Sequence, residues 1–279
     1  MPRLNDLASR TARATDRRVL AFMEALRRVL RDTEREIRPL VTDALAGDRT
    51  ALVKAARAAT LRTAVREAMT RAGYDDLIEQ ALDAAFDDLT SAALARSALA
   101  KASSRLLSGQ QARLLAVQAL HIGDLLAVAQ DVADALSAAV LRASFSAASP
   151  ETVMGDLAAH LDDAAPRVRT LYDTAVSIYH RQVEAVTATD GPDVPFVYLG
   201  PVDDVIRPFC EDLVGKVLTR QAIEALDNGQ LDNVFLTGGG YNCRHVWQEV
   251  SRLSDLAALV GTDERAPEVA ADLERLQEA

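Results

Sequence analysis

A chain of 279 residues, 49% of them hydrophobic, with a formal net charge of −10, is long enough to bury a sizeable core as one extended body or two domains. The negative balance excludes a globally basic nucleic-acid footprint, and two cysteines in so long a chain exclude a disulfide framework. MPRLNDLASR lacks a hydrophobic signal core and no apolar run approaches the roughly 18–20 residues that span a bilayer, so the expectation is a protein folded in a reducing cytoplasm without a membrane span.

Ala, Leu and Arg dominate and aromatics are scarce, a mixture that favours helix. The first predicted helix runs from Leu4 to Arg38, with Val19, Met23, Leu26, Leu30 and Ile37 at three- and four-residue steps on one face. Residues 1–38 carry ten arginines against six acids. Arg27, Arg28, Arg31 and Arg35 lie off the apolar face, where they serve either as a solvated surface with i,i+4 pairs or as a contact for DNA or an acidic partner. Pro39 and Gly47-Asp48 are expected to break this helix. A second helix is expected from Thr50 to Arg71, stopped by Gly73, a third from Asp75 to Leu107, and a fourth from Gln110 to Ala148. Ser149-Pro150 then opens a short helix to Asp162, and Pro166 opens another to Val186. A long helix with one apolar seam needs a partner, so an oligomeric or partner-bound state is expected. His121, His160 and His180 stand alone in these helices and receive no role.

The composition changes at Thr189-Asp190-Gly191-Pro192-Asp193, a polar joint that divides a helical domain (1–189) from a small α+β module (190–253). An acidic, partly helical tail (254–279) follows, with a helix expected over Pro267–Leu276. Within the module Pro195–Leu199 reads as a strand, Gly215–Leu218 as a second, and Cys243–Val250 as a third. Thr219 is placed to cap a helix from Arg220 to Leu226. The fold class is therefore mainly α: long helices forming a bundle or an elongated arm, then a small α+β C-terminal module.

Candidate chemistry is concentrated in that module. It holds Cys210, Cys243, the only tryptophan (Trp247), one of the four histidines (His245) and the run Gly238-Gly239-Gly240. The glycines do not fit a phosphate loop, because no G-x-x-x-x-G-K-[ST] pattern is present; they read instead as tight backbone turning into the last strand. Asn242 and Arg244 are expected to tie this loop to the region of Asp203 or Asp212, and Trp247 to sit in the core.

The order Asp203, Arg207-Pro208-Phe209-Cys210, Gly215-Lys216, then Gly238-Gly239-Gly240-Tyr241-Asn242-Cys243-Arg244-His245 resembles the phage head-morphogenesis family, the Mu F-like minor head proteins. Members typically carry an Asp/Arg…Cys segment, a glycine a few residues later, and a closing Asn-Cys-Arg-Cys or Asn-Cys-Arg-His element. The resemblance is confined to the C-terminal module. It implies a virion structural protein made in the bacterial host cytoplasm: a minor head or neck component near the portal. Such a protein would bind portal, capsid or neck subunits, and packaged DNA through the arginines of the first helix. Many members have Cys-x-x-Cys and Cys-Arg-Cys, whereas this chain has Cys210-Glu211-Asp212-Leu213 and Cys243-Arg244-His245, which rules out a four-sulfur zinc site. Three states of the cysteines stay open: buried thiols, a Cys210–Cys243 disulfide, or a mixed zinc site of Cys210, Cys243 and His245 completed by Asp212 or Asp203. No other cofactor is expected. The alternative from a different class is a metal-dependent nuclease or toxin-like enzyme built on the same cysteines and histidine; the first reading needs no catalytic residue.

Overall fold

The computed structural model describes residues 4–45, 51–99, 106–146 and 149–250, together with Ala271 and Arg275. Five long helices come first: α1 (Leu4–Leu45), α2 (Ala51–Arg71), α3 (Tyr74–Leu99), α4 (Ser108–Ser146) and α5 (Pro150–Thr187). The module follows as β1 (Pro195–Leu199), α6 (Pro208–Leu213), β2 (Val217–Thr219), α7 (Arg220–Glu224), α8 (Val234–Thr237) and β3 (Val246–Glu249). The protein is mainly α with a small α+β C-terminal module. The expected helix over Pro267–Leu276 and the acidic tail lie outside the described residues, apart from Ala271 and Arg275.

Two expected helix breaks at prolines do not occur. α1 continues through Pro39 to Leu45, and α5 continues through Pro166 where two helices were expected. An interior proline costs a helix about 3 kcal/mol. Each fully buried large aliphatic side chain returns roughly 1.5–3 kcal/mol. Ile37 and Val41, on either side of Pro39, are fully buried, and Leu161, Ala164 and Val168 around Pro166 are buried. Both prolines themselves are exposed. Core packing on both sides therefore outweighs the lost backbone bond. α3 is described as far as Leu99, and residues 100–105 of the helix expected to reach Leu107 lie outside the described residues; Leu106 and Leu107 are non-helical, and the Leu107 amide donates to Gln110 Oε1 (2.8 Å) in a cap for α4. The α5 start follows the expected chemistry: Ser149 Oγ accepts from the Thr152 amide at 3.3 Å, with Pro150 in the first turn.

The described residues group into two compact units, each assembled from separated stretches. One comprises residues 19–83 and 119–172. Its core is aliphatic (Leu26, Val65, Leu82, Leu125, Leu136 and Leu157 among others) with Phe22 stacked on Tyr172 at 4.3 Å. The Tyr74 hydroxyl donates to the Leu125 carbonyl inside it (2.8 Å). The other comprises residues 1–18, 84–118 and 173–279. Its helical part is organised by Phe86 stacked on Tyr179 at 3.9 Å, with the Tyr179 hydroxyl 3.0 Å from Thr90 Oγ1.

Contrary to the expectation of no spanning run, Ser108–Ala143 of α4 contains an 18-residue window of mean hydropathy 1.4, long and apolar enough by composition to cross a membrane; 28% of that window is buried. The second half of the helix supplies Leu125, Val128, Ala129, Val132 and Leu136 to a core, a use that produces the same composition.

The sheet has the order β2-β1-β3 with both pairings antiparallel. Phe196 faces Leu218 on one side and Glu249 on the other, and Tyr198 pairs with Trp247. Thr219 caps α7 by accepting from the Ala222 amide. Beneath the sheet, Phe196, Tyr198, Leu213, Ile223, Val234, Phe235 and Trp247 form one cluster, with Ala185 of α5 and Ala188 just past its end packed against it.

Candidate functional site

The strand alternation of β1 and the turn before β3 bring three distant stretches to one point. Tyr198 points inward from β1, Cys210 from α6, and Cys243 and His245 from the approach to β3. Cys210, Cys243 and His245 are all at most 3% exposed. The two sulfurs are 3.8 Å apart, and Cys243 Sγ is 3.9 Å from His245 Nδ1. Tyr198 Oη lies 3.3 Å from Cys243 Sγ and 3.6 Å from Cys210 Sγ, and its ring stacks on the His245 imidazole.

Two glycines make this approach possible. A Cβ at Gly239 would stand 2.3 Å from Cys210 Sγ, and one at Gly200 would stand 2.2 Å from His245 Cδ2. Neither position has room for a side chain. With its backbone this close, the Gly239 amide donates to Cys243 Sγ at 3.1 Å.

The loop carrying Cys243 is fastened from several directions. Arg207 donates to the carbonyls of Gly239 (2.8 Å) and Tyr241. Arg244 makes a two-pronged pair with Asp203, both bonds 2.7 Å, and this pairing holds the Asp203 carboxyl below the usual carboxylate range. Asn242 takes a left-handed backbone, φ 55°, and its amide donates to Thr174 Oγ1 on α5. Gly238 ends α8 with its amide on the Val234 carbonyl, and Gly240 donates to Thr237. Pro208 opens α6, and Gly215 turns the chain into β2 with its amide on the Tyr198 carbonyl. Trp247, 1% exposed, donates to the Val234 carbonyl and packs on Tyr198 at 4.4 Å. Asp212 is exposed, and Asp203 is engaged by Arg244; the Cys210, Cys243 and His245 ligand atoms cluster without either carboxylate.

Arg181 on α5 has no place in the sequence motif yet sits at its centre. It is 2% exposed; Nε donates to the His245 carbonyl (2.9 Å) and Nη2 to the Cys243 carbonyl (2.7 Å). Thr174, Arg181 and the partly buried Ala185 share a face of α5 opposite Val176, Tyr179, Val183 and Val186, a placement that the sequence alone does not distinguish from that of an ordinary arginine of an Arg-rich helix.

These surroundings split the two thiols. Cys243 is pulled below the ordinary thiol range, first by the hydrogen bond from Cys210 and then by Arg181. Cys210 is pushed up by the same bond and by burial. The first proton to leave therefore comes from Cys243, and Cys210 keeps its own to share. Burial, above all, raises Tyr198.

The donor set fits the zinc implied by the motif resemblance: two sulfurs and an imidazole nitrogen, each within 4.8 Å of the others. Cys210, Cys243 and His245 are the residues that would hold it. Bound there, the ion would act as a Lewis acid neutralising two thiolates and would cross-link α6 to the loop before β3.

Among the arginines of α1, Arg27, Arg28, Arg31 and Arg35 are all exposed, and Arg35 pairs with Asp32 at 3.1 Å. Arg27 and Arg31 line a groove of about 470 Å³ together with Arg169, Glu34 and Asp162. No protein-family model matches the chain, and no curated protein and no solved structure matches it significantly.

Proposed function

We propose that this chain is a phage minor head or neck structural protein that acts in head assembly near the portal, binding portal, capsid or neck subunits and working without turnover. One observation supports a structural use of the motif over a catalytic one: its polar side chains are spent on the module itself. Arg207 holds the Gly239 and Tyr241 carbonyls, Arg244 holds Asp203, and the Cys243 sulfur accepts from the Gly239 amide. Cys210, Cys243 and His245 are turned inward with at most 3% exposure, whereas a nuclease must present its metal or base to a phosphodiester. Exposed arginines on α1 supply the face for packaged DNA or an acidic partner.

Mass spectrometry of purified particles and of assembling heads tests the proposal. The chain is expected in at least one of them, together with the portal. Its absence from both sinks the assembly role. Metal-stimulated cleavage of DNA or RNA, lost in His245→Ala, would replace it with the enzyme reading.

A further inference from the structure

We infer that Tyr198 completes a four-cornered metal site with Cys210, Cys243 and His245, so that the ion is held by two sulfurs, one imidazole nitrogen and one phenolic oxygen, with no carboxylate. The inference stands on the geometry of the module and does not depend on the head-assembly reading.

Zinc bonds of about 2.0–2.3 Å to oxygen, nitrogen and sulfur give a tetrahedron whose edges are about 3.3–3.8 Å. The edges present are 3.8 Å between the sulfurs, 3.9 Å from Cys243 Sγ to His245 Nδ1, and 3.3 and 3.6 Å from Tyr198 Oη to Cys243 Sγ and Cys210 Sγ. Four of the six edges, among side chains from three separate stretches of sequence, thus already stand near tetrahedral spacing, and the two sulfurs and the imidazole nitrogen lie within 4.8 Å of one another.

The surroundings are those of a metal thiolate. The Gly239 amide points at Cys243 Sγ, an outer contact that orients and stabilises a ligating sulfur. Gly239 and Gly200 give the backbone contact with Cys210 and His245 that any side chain would prevent. Arg181, within the same buried core, ties down the carbonyls of Cys243 and His245, fixing both ligands at their own backbone. The carboxylates that might have closed the site are elsewhere: Asp203 is held by Arg244, and Asp212 is exposed. On binding, the ion displaces the protons of both thiols and of the Tyr198 hydroxyl, which leave to solvent; no electron is transferred.

The test uses the full chain purified under reducing conditions, its zinc content measured by elemental mass spectrometry and its site refilled with Co(II). One ion per chain is expected, with a thiolate-to-cobalt charge-transfer band and the intense d–d bands of four-coordinate Co(II). Tyr198→Phe should keep the charge-transfer band, shift the d–d bands, and weaken Co(II) binding about tenfold or more, with an unchanged helical circular dichroism spectrum. Cys243→Ser should lose the charge-transfer band. X-ray absorption on the zinc-loaded parent, expected to show two sulfur and two nitrogen or oxygen neighbours, covers the case in which Tyr198→Phe fails to fold. The inference is overturned if neither Zn(II) nor Co(II) binds while both thiols react as free. It is equally overturned by a Cys210–Cys243 disulfide in the reduced preparation, by a Tyr198→Phe variant with the parent's affinity and spectrum, or by a coordination shell without the second light neighbour.

Discussion

Arg181 places a permanent cation in the buried interior, 2% exposed, and it has no carboxylate among the partners of its Nε and Nη2. Those partners are the carbonyls of His245 and Cys243, two oxygens that the third strand leaves unpaired just before it begins. Removing the guanidinium orphans both, each at a cost of about 1–3 kcal/mol. Arg181→Met, which keeps most of the aliphatic length, should destabilise the module by about 2–5 kcal/mol. Denaturation followed by fluorescence of Trp247, the only tryptophan, reads this directly; an unshifted midpoint would mean the carbonyls find other donors. This residue also marks the limit of what could be read from the chain. Cys210, Cys243 and His245 announce themselves by type, and the Asp203–Arg244 tie followed from charge. Arg181 and Tyr198 do not, because arginine in an Arg-rich helix and tyrosine in a strand are ordinary until their surroundings are known.

At the scale of elements, what was legible followed from local chemistry with a local outcome. The Thr219 cap, the Ser149-Pro150 start and strand β1 from Pro195 to Leu199 are all where their residues place them. The prolines misled because their effect is local and the decisive energy was not. Pro166 leaves the Asp162 carbonyl without its helical donor, and Leu161, Ala164 and Val168 hold the helix together across the gap. Pro166→Ala restores that donor at an exposed position and should stabilise the protein by about 1–2 kcal/mol, the gain in hydrogen bonding being partly offset by a freer unfolded chain. Thermal unfolding by circular dichroism checks it; a lower midpoint would show that the proline angle is itself required.

For the whole molecule, division into two units means that acid need not act on both alike. His121, in the unit of residues 19–83 and 119–172, is 9% exposed, and its Nε2 has no hydrogen-bond partner among the described residues. Burial lowers its pKa, against a weaker opposing pull from Asp124. The native imidazole is therefore neutral while the unfolded one takes a proton near the ordinary value of about 6.5. Stability from this source is fully present above that pH and falls as pH drops below it toward the lowered native value. Urea midpoints by circular dichroism at neutral and mildly acidic pH should show the loss in the parent and a smaller one in His121→Leu. Equal slopes in the two proteins would remove His121 as the cause.

That same division has a consequence for how the chain reaches its native state. Neither unit is a continuous segment: one joins residues 19–83 to 119–172, and the other joins 1–18, 84–118 and 173–279. Contacts that close them span long stretches, 91 residues between Tyr172 and Ala81, 89 between Thr90 and Tyr179, and 64 between Arg181 and His245. The loop entropy of such closures is spent before the contacts return it. During synthesis, the unit ending at residue 172 has all its pieces while the other still lacks everything after that point. The two units are thus of unequal age, and the buried cluster of Tyr198, Cys210, Cys243 and His245 is among the last parts of the described fold to be synthesised.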